Sequence, residues 1–251
     1  MSITVELPFF GIPVDACTAD EVAALVGRAE HETRGATVGN LNLHGLYLYL
    51  TEPGFRDYCD AADVLLIDGF PIWVLARLAD RRVHRGHRIG SSDWLRAVLA
   101  GSVGRPAVVT AVGGTRSAAR RAARAANESR SGVTWFGFDG FGFGRCDSRA
   151  ESVLLEEALD KSDLVLVGLG MPVQEEWILT HVPADHHAVV ANVGGCLDYL
   201  AGVQREAPRW LGCLGLEWAY RLVCDPRRLA HRYLVEPVAL ARIARRGVAR
   251  P

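Results

Sequence analysis

The stretch Val167-Gly-Leu-Gly-Met-Pro-Val-Gln-Glu-Glu-Trp177 decides the fold. Just before it, Leu164 to Val167 is an aliphatic run of strand length. Two glycines and a proline then break the run, and a helical pattern starts beyond them. Gly168 to Pro172 therefore reads as the crest of a buried strand turning into a helix, the repeating unit of an α/β sheet.

The same unit recurs on either side. Ala36 to Asn42 reads as a strand before a helix at His44 to Leu50, and Val64 to Asp68 as a strand before Pro71 to Ala79. Ala107 to Val112 leads through Gly113-Gly114 into Ser117 to Asn127. Val133 to Phe138 leads through the glycine-rich Asp139 to Gly144 into Ser148 to Leu159, and Ala188 to Val193 leads into Gly194-Gly195. Thr18-Ala-Asp-Glu21 has the form of a capping box and opens a helix to about Glu30; Ser92 to Ala100 is a further helix. The expected fold is α/β and Rossmann-like, a mostly parallel sheet with helices on both faces. From Pro208 onward no strand-like run is left, so residues 1–205 read as the α/β unit and 206–251 as a helical C-terminal appendage.

Hydrophobic residues make up 49% of the 251, enough for one large core. No window reaches about 18 uninterrupted apolar residues. The N-terminal apolar patch has no basic leader and carries Glu6 and Asp15, so the expectation is a cytoplasmic protein. Six cysteines are scattered without a C-x-x-C pair, which points to reduced, mostly buried thiols. His84/His87 and His186/His187 have no carboxylate or thiolate at ligand spacing; they read as surface histidines, and no metal is expected. The net charge of -1 hides an asymmetry. From Arg205 onward ten arginines face four carboxylates, a net +6 on a body of -7.

In an open parallel sheet, ligands bind beyond the carboxyl ends of the strands. The residues there are Asn40 and Asn42, Asp68-Gly69, Gly113-Gly114, Gly140 to Gly144, Gly168 to Glu175 and Gly194 to Asp198. Glycine at so many strand ends lets backbone N–H groups approach an anion, and a phosphate-bearing ligand is the inference. The common nucleotide signatures fail. Pro172 and Val173 break the G-x-G-x-x-G pattern after Gly168, the next strand ends with Asn192 and not the acidic residue that pattern wants, and no Walker sequence is present. Asp68 has two readings here, a general base at the sheet edge or a helix-capping residue before Pro71. A soluble NAD(P)-dependent oxidoreductase and a non-catalytic nucleotide-binding scaffold stand as rival functions.

Taken together, the motifs resemble the WecG/TagA/CpsF bacterial glycosyltransferases, glycosyltransferase family 26. The resemblance rests on Asn40-Leu-Asn42, "LLIDGFP" (65–71), "RIGSSDW" (88–94), "AVGG" (111–114), "GLGMPVQEEW" (168–177), "NVGGCLDYLAG" (192–202), "EAPRW" (206–210) and "LGLEWAYRLVCDPRRLAHRY" (214–233). It implies an inverting, metal-independent transferase without a cofactor. Such an enzyme moves a sugar of the N-acetylmannosamine type from a UDP donor to a polyprenyl-diphosphate-linked saccharide in envelope polysaccharide assembly. Under it Asp68 is the general base, while Arg88, Gln174 and the glycines 113, 114, 168, 170, 194 and 195 belong to the donor site. Pro172 starts the helix, Gln174 points into the donor pocket, Glu175 orients its neighbours, and Asp198 contacts the uracil.

Two departures stand out. Asn40 replaces the family's usual Thr near the sugar, which leaves the donor sugar open. The R-A-P-x-W motif becomes Glu206-Ala-Pro-Arg-Trp210 with its arginine displaced to Arg205, so no catalytic role is carried over there. The appendage, with Trp and Leu interleaved with arginine, is expected to lie on an anionic membrane surface, the cytoplasmic face in this reading. It would lend Arg221, Arg228 and Arg232 to the active site; the bland alternative is a packed subdomain or homo-oligomer contact. No nucleic acid partner is expected.

Overall fold

The computed structural model describes residues 3–28, 34–102, 106–128, 132–140, 149–204 and 207–246. The expected boundary at 205/206, the displaced Arg205, Glu206 and the Phe141 to Gly144 part of the glycine-rich loop lie outside them.

Among the described residues, eight strands form one sheet: β1 (Ile3–Glu6), β2 (Pro13–Ala16), β3 (Thr37–Leu41), β4 (Val64–Ile67), β5 (Ala107–Gly113), β6 (Val133–Phe138), β7 (Leu164–Gly168) and β8 (Val189–Asn192). Their order is β1-β2-β4-β3-β8-β7-β5-β6, parallel throughout except the β1–β2 pair. β7 and β8 are neighbouring interior strands, and Leu164 to Val167 and Val189 to Asn192 are buried throughout, as a strand covered on both faces requires. The β1–β2 hairpin was not legible in the sequence. Its strands are only four residues each, and Pro13 sits where a proline is tolerated, at the first residue of a strand.

Helices α1 (Ala19–Arg28), α5 (Ser91–Ala97) and α6 (Arg116–Glu128) are joined by α2 (Leu43–Thr51), α3 (Pro53–Ala61), α4 (Phe70–Ala79), α7 (Arg149–Asp160), α8 (Val173–His181) and α9 (Cys196–Leu200). The capping box closes as expected: the Thr18 N–H donates to Glu21 Oε2 at 2.9 Å, and the Glu21 N–H to Thr18 Oγ1 at 3.3 Å. α3 was missed because Pro53-Gly54 has turn composition, whereas Pro here occupies the first helical position, where its lost N–H costs nothing. Two buried clusters lie against the sheet, one around Leu46, Tyr58, Ile67 and Val190, the other around Trp94, Leu66, Leu166 and Ala191.

The C-terminal region is helical: α10 (Arg209–Cys213), α11 (Glu217–Cys224), α12 (Pro226–Ala230) and α13 (Glu236–Arg246). It docks on α2. Leu240 joins the first core cluster, and the buried Glu236 carboxylate lies 2.8 Å from His44 Nδ1. Burial, then the Arg232 guanidinium, holds the His44 imidazole below its ordinary range. Among the described residues, no helix is long and apolar enough to cross a membrane. Cys17, Cys59 and Cys196 are buried and Cys224 is exposed, and none of these four forms a disulfide. The surface reading fails for His87, which is buried, its ring tilted against that of His84 with centroids 3.7 Å apart.

Candidate active site

The carboxyl ends of β3, β4, β7 and β8, with the loop after β5, open into one cleft of about 1000 Å³. That volume is at the upper end of what small-molecule sites use. The glycines at its floor divide into two kinds. A Cβ on Gly113 would meet the Gly168 carbonyl oxygen at 2.5 Å, and one on Gly168 would meet the Gly194 carbonyl oxygen at 2.7 Å. These two let adjacent strand crests close on each other. Gly170 and Gly194, at φ 81° and 51°, have open space where a side chain would stand, and both border the cleft. Gly114 and Gly195 border it as well. Gly113 does not, so its place is in the packing beneath.

Gln174 is a correction of a different kind. It is only 1% exposed and its amide is engaged inside the protein. Its Oε1 accepts the Gly170 N–H at 3.2 Å and the Gly194 N–H at 3.0 Å, tying together the crests of β7 and β8. Its Nε2 donates to Glu175 Oε1 at 2.7 Å. Gln174 thus edges the cleft from below and fixes the backbone there. Glu175, fully buried and outside the cleft lining, also accepts from Asn192 Nδ2 at 2.5 Å. Burial pushes its carboxyl up to about 7, against the hydrogen bonds from Asn192 and Gln174. Its other oxygen has no partner. Asn192 in turn holds Asn40, whose Nδ2 reaches both the Asn192 carbonyl at 2.5 Å and its Oδ1 at 2.9 Å. Asn40 Oδ1, at the cleft edge, is left without a partner.

The opposite wall carries charge. Gly69, not Asp68, caps α4, so the capping reading of Asp68 fails and its carboxylate faces the cleft. Asp68 Oδ2 accepts from Asn42 Nδ2 at 3.2 Å. Asn42 caps α2 through its Oδ1, which receives the Gly45 N–H at 3.0 Å and Arg232 Nη2 at 3.1 Å. Arg88 and Arg221 border the same cleft. Among the described residues no carboxylate lies within ion-pair distance of Arg88, Arg221 or Arg232. Arg228 pairs with Asp225 at 2.7 Å. Asp198 lies at the same end; its carboxyl is raised by burial, with Arg228 opposing.

A family model, "Glycosyl transferase WecG/TagA/CpsF family", matches residues 7–251. The chain belongs to this family. Similar relatives carry the name N-acetylglucosaminyldiphosphoundecaprenol N-acetyl-beta-D-mannosaminyltransferase, in Staphylococcus aureus strains NCTC 8325 / PS 47 and COL. Each is 36% identical over 102 residues, 41% of this chain and 40% of the relative. The matched stretch thus spans two fifths of those proteins' length.

Asn40, Asn42, Asp68, Arg88, Gln174, Asp198, Arg221, Arg228 and Arg232 therefore meet around a single cleft, with Gly114, Gly168, Gly170, Gly194 and Gly195. The sequence reading gave Asn192 no role of its own, although it opens the quoted motif at 192–202. Among the described residues, no three His, Cys, Asp or Glu side chains gather as a metal site would.

Proposed function

We propose that this member of the family transfers a sugar from a UDP donor to a saccharide linked to a polyprenyl diphosphate, with inversion and without a metal ion. The observation that carries the reading is Asp68, a carboxylate left out of its helix cap and set between glycine crests and three guanidinium groups. The names of the relatives support the lipid-linked acceptor. In the reaction, Asp68 takes the proton of the acceptor hydroxyl, and that oxygen bonds to the anomeric carbon. The bond from that carbon to the diphosphate breaks, and UDP leaves with the charge. The guanidinium groups of Arg88, Arg221 and Arg232, which border the cleft, receive that charge.

The test is transfer from a panel of UDP-sugars to N-acetylglucosaminyl-diphospho-polyprenol, run with a chelator present. Turnover that survives the chelator and is lost in Asp68→Asn supports the reading. Binding of NAD(P) in place of UDP, or an unchanged rate in Asp68→Asn, overturns it.

The C-terminal helices supply a second element of the function, attachment to an anionic bilayer surface. α11 buries none of its residues although six of its eight are apolar, and Trp210, Leu214, Val223, Leu234 and Val238 are exposed along this region. Arg227, Arg242, Arg245 and Arg246 are exposed among them. That composition suits an interfacial surface, each basic residue contributing about 1 kcal/mol on an anionic leaflet.

A further inference from the structure

Asp68 borders two cavities. Besides the glycine-walled cleft, a pocket of about 280 Å³ opens on its other side. Asn42, Asp68, Arg88, Glu217, Arg221 and Arg232 are among the residues the two share as a partition, yet none of Gly114, Gly170 or Gly194 reaches the smaller one. Its own walls are Leu43, Phe70 and Pro71 from the first turns of α2 and α4, and Trp218 and Pro237 from the C-terminal helices. Gly215, at φ 71°, brings the two halves together: a Cβ there would stand 2.7 Å from the Phe70 ring. The C-terminal chain can close on Phe70 only with glycine at that point. Trp218 is 41% exposed and Phe70 38%, and both line the pocket.

Geometry and chemistry then divide the substrates. In an inverting displacement the incoming oxygen approaches the anomeric carbon opposite the departing diphosphate. Only the larger cleft has room for a nucleotide, so the departing diphosphate lies on that side of Asp68 and the nucleophile comes from the other. A pocket of this size has room for one pyranose ring and none for a nucleotide. Aromatic walls with a few convergent polar groups match a sugar's apolar C–H face and its hydroxyl edge.

We propose that this pocket is the acceptor subsite: it holds the terminal pyranose of the lipid-diphosphate-linked acceptor against Trp218 and Phe70, with the nucleophilic hydroxyl on Asp68. The assignment rests on the transferase reading above. Arg221 and Arg232 stand on the partition, within reach of anionic groups from both substrates. Arg228 lines the large cleft only and serves the donor alone.

The test separates the two substrates with a water-soluble, short-chain isoprenyl-diphospho-N-acetylglucosamine, so that membrane attachment plays no part. Affinity for the UDP-sugar is measured by calorimetry and KM for the acceptor by initial rates. Trp218→Ala and Phe70→Ala should each raise the acceptor KM by about tenfold or more while donor affinity stays within about twofold. Trp218→Phe should recover most of the loss, and Arg228→Gln should show the converse pattern. Both aromatic side chains are more than one-third exposed, so unchanged melting temperatures are expected and exclude misfolding as the cause. Weakened donor affinity with an unchanged acceptor KM in Trp218→Ala overturns the assignment and leaves the transferase reading intact. A wild-type protein that transfers from no UDP-sugar overturns both.

Discussion

Asn42 donates from its Nδ2 to the Asp68 carboxylate at 3.2 Å while its Oδ1 caps α2 and receives Arg232. One side chain thus joins a helix start, the candidate base and an arginine 190 residues away. The capping role and the positioning role can be pulled apart. Asn42→Ala should cost about 1 kcal/mol of stability, a fall in Tm of roughly 2–4 °C. Asn42→Asp keeps a capping oxygen but sets a second carboxylate against Asp68, so it should retain the melting temperature better than Asn42→Ala and still lose turnover. Thermal melts and kcat measured side by side check this; equal turnover in Asn42→Asp and wild type would sink the positioning role.

Asp68→Asn should lower kcat by roughly 10²–10⁴, the usual contribution of a general base, while affinity for the UDP-sugar is retained. Its side chain lies outside the helix cap, so the fold should be undisturbed. Calorimetry with UDP and a transfer assay on the same preparation check both halves.

Gln174→Ala should act through the backbone. It leaves the Gly170 and Gly194 N–H groups without their shared acceptor, and removes one of two donors to Glu175 Oε1. Unmade hydrogen bonds at buried sites cost about 1–3 kcal/mol each, so lowered stability and weaker UDP binding should appear together. Denaturant unfolding beside a UDP titration checks this; full UDP affinity in the variant would show that the crests hold their geometry unaided.

Glu175 carries a pH signature. Burial raises its carboxyl to about 7 in the folded protein, above the ordinary value of 4.5 it has when unfolded. The native state therefore binds this proton more tightly than the unfolded chain does. Stability from this group is full below about pH 4.5 and lost as pH rises through 7, a change on the order of 3 kcal/mol. The titratable neighbours Tyr58 and Cys59 are both pushed up by burial and stay neutral across that range. Glu175→Gln keeps an accepting oxygen for Gln174 and Asn192 and should flatten the dependence, being more stable than wild type at pH 8. Unfolding curves at pH 5 and pH 8 for both proteins measure it.

Membrane attachment predicts flotation with anionic vesicles and none with neutral ones. Replacing exposed Trp210 and Leu214 by Ser should weaken it without lowering the melting temperature, since both side chains lie mostly in solvent. Protein that ignores anionic vesicles at low salt would remove this part of the reading.

The sequence by itself determined the alternation of strand, glycine turn and helix, the parallel sheet and the helical C-terminal region. Each of these follows from patterns a few residues long: aliphatic runs, a capping box, turn residues at strand ends. Short or ambiguous stretches escaped it, namely the four-residue strands of the first hairpin and α3 behind Pro53-Gly54.

Only the tertiary structure decided which way the polar side chains at those strand ends face. Gln174 had the sequence signature of a donor contact, yet it turns inward because the Gly170 and Gly194 N–H groups and Glu175 all need a partner there. Asn192 became visible only when β3 and β8 paired, joining it to Asn40 across 152 positions. The second pocket exists because Gly215 lets the C-terminal helices close on Phe70. A buried polar group must find its hydrogen bonds wherever the fold brings them, and the distance along the chain between such partners carries no local pattern to read.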